Sequence, residues 1–251
     1  AIREADFHAG GFPARYGGRM GAILNVINRE GNTQTVKGSA NISLISSKGL
    51  AEGPIPEYKG IKGSWMISGR RTYFDKIINA IKIPINKQED GTKEYLEFPY
   101  YFYDLQLKFN LDFGLDHRLT YSRFYGDDVL DWSFDETQNY NYEDNTTARV
   151  KRRFGIDWPW GNHTNGLTWR WIVSPTVVAK TFLSRSRYRF HFNIHSLDQE
   201  TIIYPDSTIY NETAFFFDMY DIILDNSLES EIIWKARDGH EITSGFQLKD
   251  V

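Results

Sequence analysis

The chain contains no cysteine, which excludes a disulfide framework, thiolate-ligated zinc and a cysteine nucleophile. It also lacks any run of about 20 consecutive apolar residues, the length that a membrane-spanning helix needs. With 8 Pro and 20 Gly in 251 residues, it is neither collagen-like nor of low complexity. A net charge of −4 gives no general attraction to nucleic acid.

Aromatic residues are the compositional excess, at 16% of the chain, and they alternate with polar residues. In Tyr101–Phe113 every odd position is apolar or aromatic, and every even position except Phe102 is polar. This alternation predicts a β-strand with one apolar and one polar face. Tilted as in a barrel, a strand of this length rises about 30 Å, which is the thickness of a bilayer core.

The same alternation recurs along the chain, interrupted by connections of two kinds. It is found in Val36–Leu44, Ile61–Ser68, Leu119–Tyr125, Leu167–Val173, Tyr220–Trp234 and Ile242–Leu248. Short turns are predicted at 54–60, 114–117, 174–176 and 238–240, and long polar loops at 72–99, 127–162 and 195–213. The first long loop contains a predicted short helix, Phe74–Ile81. Short turns alternating with long loops are typical of a transmembrane β-barrel, although a large soluble β-sandwich also alternates.

A Gly-rich segment between residues 10 and 31 does not follow this pattern. It fits neither phosphate-binding fingerprint, because both the Gly-Lys-Ser/Thr ending and the Gly-x-Gly-x-x-Gly spacing are missing. It resembles the end of the plug domain of TonB-dependent outer-membrane receptors. The residues that carry the resemblance are Pro13, Ala14, Tyr16, Gly17, Gly18, Asn25, Arg29 and Gly31.

Weaker resemblances to the same family follow along the chain. Gly38–Ala40 and Glu52–Pro54 resemble the opening strand and the first periplasmic turn of such barrels. Ser68–Tyr73 and Tyr103–Leu105 are similar to segments of the branch whose receptors often carry a carboxypeptidase-like regulatory domain.

The resemblance implies an all-β fold: residues 1–32 as the C-terminal end of a plug, and residues 33–251 as about nine N-terminal strands of an antiparallel transmembrane barrel of about 22 strands. We expect the chain to be a piece of a longer polypeptide, because it begins without Met and stops inside an alternating pattern. The implied function is TonB-dependent transport of a siderophore, oligosaccharide or peptide across the bacterial outer membrane, without enzymatic activity, metal or cofactor. The implied partners are the TonB complex, outer-membrane lipid and a small nutrient ligand, with a surface lipoprotein as a further candidate. The alternative is a soluble β-sandwich that binds or cleaves glycans.

A basic stripe is the main candidate for ligand binding. Arg185, Arg187, Arg189 and His191 alternate along one predicted strand and therefore share a face. We expect them to line the lumen and attract an anionic ligand group, or else to be wall charges paired with carboxylates. This facing puts Lys180 on the lipid side, so it requires a bulge near Ser184.

Two further arginines lie in lipid-facing patterns near the long-loop end. Arg71 and Arg123 are expected to contact phosphates of the outer lipid leaflet, because a charge costs least near the interface. A rim ion pair or a local bulge is the alternative.

Two other segments have weaker assignments. The acidic residues between 127 and 136 could bind calcium or form a solvated loop. Trp158–Trp160 could stack on a ligand or anchor a loop.

Overall fold

The computed structural model describes residues 2–12, 14–17, 21–82, 84–87, 93–95, 99–142 and 145–250. Its elements in chain order are β1 (Ile2–His8), β2 (Ile23–Asn28), β3 (Lys37–Ile42), β4 (Ser46–Tyr58), β5 (Ile61–Thr72), α1 (Phe74–Ile81), β6 (Pro84–Lys87), β7 (Lys93–Tyr95), β8 (Tyr100–Phe113), β9 (His117–Asn141), β10 (Thr147–Ser174), β11 (Val177–Ile203), β12 (Thr208–Arg237) and β13 (His240–Asp250). The predictions of an all-β antiparallel chain and of a helix at Phe74–Ile81 are confirmed.

One large antiparallel sheet of nine strands dominates the structure, in the order β13-β12-β11-β10-β9-β8-β5-β4-β3. Strands that follow one another in the chain are neighbours in the sheet, except that α1, β6 and β7 lie in the connection between β5 and β8. β3 and β13 form its edges, and β1 pairs separately with β2. The nine strands agree with the expected number.

The four short turns predicted from the sequence lie at one end of this sheet, whereas the short connections at 43–45 and 204–207 lie at the other end. The four turns join β4 to β5 at residues 59–60, β8 to β9 at 114–116, β10 to β11 at 175–176, and β12 to β13 at 238–239. Gly60, Gly114 and Gly239 have positive φ values of 80°, 68° and 76°, a backbone conformation that glycine adopts without steric cost. Glu52–Pro54 is not a turn as expected but part of β4, because the chain reverses only after Tyr58.

Two of the predicted long loops are wrong. β9 continues to Asn141 and β10 starts at Thr147, so most of 127–162 is a paired hairpin. β11 likewise runs to Ile203 and β12 starts at Thr208. Extended pairing satisfies the backbone N–H and C=O groups of these polar segments, which explains strands of 25 to 30 residues.

The sheet is a single layer over most of its area. Among the described residues, the buried apolar side chains are Met66, Ile78 and Ala148, whereas Trp169 and Leu183 are 43% and 48% exposed. No helix in the described part of the chain has the length and apolarity to cross a membrane.

Candidate functional site: the two faces of the sheet

The two faces of the sheet differ in chemistry near the short turns. Residues that pair across antiparallel strands lie on the same face; such a set is called a row here. One row contains Trp65, Phe109, Tyr121, Leu167, Leu183 and Leu228. The face that carries this row is called face A, and the opposite face is called face B.

Face A is apolar over several rows next to the short turns. The two rows between that row and the turns contain mainly apolar and aromatic residues, namely Leu111, Phe113, His117, Leu119, Trp169, Trp171, Ala179, Thr181, Ser230 and Ile232. The rings of Trp169 and Trp171 stack with their centroids 5.9 Å apart. A contiguous exposed apolar surface of this kind marks a protein or membrane contact.

Face B is polar in the same region and is held together by hydrogen bonds. Asn110 is 2% exposed; its amide donates to Ser64 Oγ at 3.2 Å, and its Oδ1 accepts from Thr120 Oγ1 at 2.8 Å. Arg118 binds both carboxylate oxygens of Asp112, at 2.6 and 3.0 Å. A buried polar side chain is stable only when its groups are paired, as they are here.

The segment that precedes the sheet contacts face B. Arg118 Nη1 donates to Glu30 Oε2 at 3.1 Å, Arg29 Nη2 donates to Glu52 Oε1 at 3.3 Å, and Lys108 Nζ donates to a backbone carbonyl of β2 at 3.1 Å. Farther along the sheet, the guanidinium of Arg15 lies 3.8 Å from Glu231. Charges therefore attach this segment to the polar face.

The residues of the plug-like motif fall within this segment. Ala14 and Tyr16 are in a short 3-10 turn followed by Gly17, and Asn25 pairs with Asp6 between β2 and β1. At Gly31, a Cβ atom would collide with the backbone carbonyl of Trp65 in β5. This close approach requires glycine. Pro13 and Gly18 lie outside the described residues.

Lys180 lies on face B, where its Nζ is 3.7 Å from Glu231 Oε1. The pairing of β11 with β10 and β12 has no irregularity at Ser184, so the expected bulge is absent. Lys180 and the basic stripe therefore lie on opposite faces of β11. Arg185, Arg187, Arg189 and His191 lie on face A, opposite the face that Glu30 and Arg15 contact. That they bind a ligand stays a prediction.

Beyond the row that contains Arg123, Asn165, Arg185 and Asn226, face A becomes mainly polar on β9, β10 and β11, whereas β8 and β12 keep apolar residues on it. The part of the sheet beyond this row, away from the short turns, is called the distal half. There, face B carries an aromatic cluster in which Trp158 contacts Phe190 and Phe192 edge-on, at 5.9 and 5.3 Å, and Trp160 stacks on Tyr100. Trp158–Trp160 is thus part of strand β10, not of a loop.

Face A of the distal half carries several charged groups. His191 Nε2 lies 2.8 Å from Asp218 Oδ2, which also accepts from Asn193. These hydrogen bonds lower the pKa of the Asp218 carboxyl below its usual value, because they stabilise the ionised form. His191, from the predicted stripe, is therefore paired with a carboxylate.

A buried carboxylate, Asp127, lies at the boundary between the two halves. Its side chain is 3% exposed. It accepts a hydrogen bond from the Tyr103 hydroxyl at 2.8 Å and lies 3.4 Å from the Arg189 guanidinium and 3.6 Å from His163 Nε2. The His163 ring stacks on Tyr125 at 4.2 Å. Sequence reasoning missed this site, because its members come from four strands.

A cleft of about 240 Å³ opens on face B of the distal half. Arg70 is held there by Asp104, at 2.6 Å from Nε, and its guanidinium lies over the Phe102 ring at 4.6 Å. Asp128 and Trp160 complete its wall. Aromatic surfaces beside a fixed cation and carboxylates can bind a polar organic ligand.

The two arginines predicted at the rim both lie on face A. The Arg71 guanidinium lies over the Tyr101 ring at 4.8 Å, and Arg123 pairs with Leu107 and Asn165. The acidic residues of 127–136 are divided between the two faces of β9, so they do not form one loop. Within the described ranges, no group of three or more His, Asp or Glu side chains is arranged to hold a metal ion.

Comparisons with known proteins do not add a relative to this description. No protein-family model matches the chain, and no curated protein matches it.

Proposed function

We propose that the chain belongs to a TonB-dependent outer-membrane transporter, in which the nine-stranded sheet is part of a β-barrel and residues 1–32 are the end of its plug. The observation that carries the proposal is the division between the faces: face A is apolar and exposed, and face B is polar and contacts the preceding segment through Glu30, Arg29 and Arg15. A barrel in lipid needs this arrangement, with apolar side chains outside and polar side chains toward the plug.

The height of the apolar surface supports the same proposal. In β8, apolar residues occupy face A from Leu105 to Phe113, about 26 Å along the strand. Outer-membrane barrels carry an apolar band of about 25 Å flanked by aromatic girdles. Tyr103 and Tyr101 continue the strand beyond Leu105, at the level expected for such a girdle.

The soluble sandwich is less well supported. A sandwich buries one face of each sheet against a second sheet. Among the described strands, no second sheet covers face A, and Phe109 is 41% exposed. Leu167, which lies in the same row and pairs with Tyr121, is 37% exposed.

Two distal features fit the uptake of a nutrient. The face B cleft, with Arg70, Asp104 and Trp160, would open toward the cell exterior in such a barrel. The polar face A of the distal half would stand above the membrane in water, while its aromatic face B would be covered by loops or by a bound partner.

Uptake experiments can decide whether the ligand is a siderophore, an oligosaccharide or a peptide. Labelled members of each class are offered to cells that express the full-length protein, and their accumulation is measured. One class should accumulate only when TonB is present; equal accumulation without TonB contradicts the proposal.

Lipid contact can be measured directly with a single introduced cysteine in a cysteine-free background, since these 251 residues contain no cysteine of their own. In the full-length protein in lipid vesicles, a polarity-sensitive fluorophore on Leu167→Cys should emit as in hydrocarbon and be quenched by brominated lipid. The same fluorophore on Thr168→Cys, the adjacent residue on face B, should be quenched by a water-soluble quencher instead. Equal responses at the two sites would contradict a lipid-facing face A. The folded barrel should also migrate faster in detergent gels before heating than after it.

A further inference from the structure

Three arginines form a cluster on face A at the end of the apolar region. Arg123 of β9 and Arg185 of β11 both pair with Asn165 of the intervening β10, and Arg187 is the next residue of β11 on this face. From strand spacings, the Cα atoms of Arg123 and Arg185 are about 10 Å apart, and Arg187 is about 7 Å farther along β11. We call these three residues the arginine cluster.

The charges of the cluster are not neutralised by carboxylates. Arg123 and Arg185 are exposed, and neither forms an ion pair with any described residue. Arg187 donates to the Tyr220 hydroxyl at 3.3 Å. The nearby carboxylate of Asp127 is occupied by Arg189 and His163, and Asp250 lies two strands from Arg185.

The cluster borders apolar residues of face A, since Leu107 pairs with Arg123 and Leu224 pairs with Arg187. Toward the short turns, the next row presents Tyr121, Leu167 and Leu183, and Leu183 is 48% exposed. Unpaired guanidinium groups directly beside exposed aliphatic and aromatic side chains match a ligand that has an anionic head and hydrocarbon chains.

We propose that the arginine cluster binds the phosphate groups of a phosphorylated glycolipid of the outer leaflet, whose acyl chains lie along Leu167 and Leu183. This rests on the proposed function, which places face A in the membrane. Guanidinium groups bind phosphate oxygens in bidentate fashion. A spread of about 10 Å between Arg123 and Arg185 suits a head group with more than one phosphate better than a single free phosphate ion.

The arginines that lie beside Arg123 in the structure are not the ones that the sequence predicted. Arg123 was expected to act with Arg71, but Arg71 lies two strands away on β5 and its guanidinium covers the Tyr101 ring. Arg185 and Arg187, assigned to the lumen from the sequence, take its place beside Arg123. The sheet register places Arg123, Arg185 and Arg187 on the same face.

The experiment compares lipid retention by the full-length protein, purified in detergent, by native mass spectrometry. The probes are diphosphorylated lipid A and its dephosphorylated form, each added to wild type, to the triple variant Arg123→Gln, Arg185→Gln, Arg187→Gln, and to a control. The control, Arg149→Gln, Lys151→Gln, Arg153→Gln, removes the same charge from face A of β10. These positions lie at least 12 residues beyond Asn165, about 40 Å along the strand.

Wild type and control should retain diphosphorylated lipid A equally and its dephosphorylated form poorly. The triple variant should retain the diphosphorylated lipid about a hundredfold less, as expected when three basic residues that each attract anionic lipid are removed. Unchanged retention by an inserted, heat-modifiable triple variant overturns the lipid site alone, as does full displacement of the lipid by millimolar inorganic phosphate. A wild-type protein that does not insert into membranes overturns the proposed function itself.

Discussion

Replacing Phe109 with Arg should lower the free energy of unfolding of the membrane-inserted protein by about 2–4 kcal/mol, the cost of a cation on the lipid face near the bilayer midplane. Phe109 lies at the middle of the apolar run of β8 and is 41% exposed on face A. Trp65 and Tyr121 flank it in the same row. No carboxylate in this row can neutralise the introduced charge, so its desolvation is not compensated.

The matched control is Gln106→Arg, which adds the same side chain to β8 on face B. Lys108 already carries a charge on that face, next to the backbone of β2, so face B tolerates cations. Urea titration of the full-length protein in lipid vesicles measures both variants. If Phe109→Arg and Gln106→Arg change the stability by the same amount, face A does not contact hydrocarbon.

The part of the sheet next to the short turns could be predicted because its apolar residues stay on face A along each strand. In β8, every odd residue from Tyr101 to Phe113 lies on face A, and the turn at 114–116 follows directly. Period-two alternation with an adjacent turn determines both the strand and its facing.

The distal half could not be predicted because the apolar residues change from one face to the other within a strand. In β10, the apolar side chains are Leu167 and Trp169 on face A, but toward the other end they are Trp158 and Trp160 on face B. A pattern that follows one apolar face ends where the polarity reverses, so the remainder was interpreted as loop. The strands continue because backbone pairing does not depend on which face is apolar.

The expected bulge near Ser184 was wrong for a related reason. Once β11 was assumed to place Arg185 inside, Lys180 required a bulge, whereas uninterrupted pairing places Lys180 beside Glu231 on face B. A shift of one residue reverses the facing of an entire strand. The register depends on how a strand pairs with its neighbours, and the sequence of a single strand does not reveal that pairing.

Replacing Asp127 with Ala should destabilise the folded protein by about 2 kcal/mol, because a buried charged group that accepts hydrogen bonds is worth roughly 1.5–3 kcal/mol and its loss leaves its partners unpaired. Arg189 and His163 are about one-third exposed, so water compensates part of the loss. The Tyr103 hydroxyl also loses its acceptor. A double-mutant cycle with Arg189→Ala should give a coupling energy of about 1 kcal/mol, the range found for residues in one network.

Gly161→Ala tests the same site without removing a charge. A Cβ atom at Gly161 would collide with Asp127 Oδ1 and with the backbone carbonyl of Gly126, so the carboxylate must move away from Arg189. Gly49→Ala is the matched control, because Gly49 lies on face A of β4 with open space at its Cβ position. Urea titration in vesicles should show a loss for Gly161→Ala and almost none for Gly49→Ala. Since Asp127 joins β8, β9, β10 and β11, an Asp127→Ala protein as stable as wild type would mean that the register alone, and not this carboxylate, holds the four strands together at the boundary.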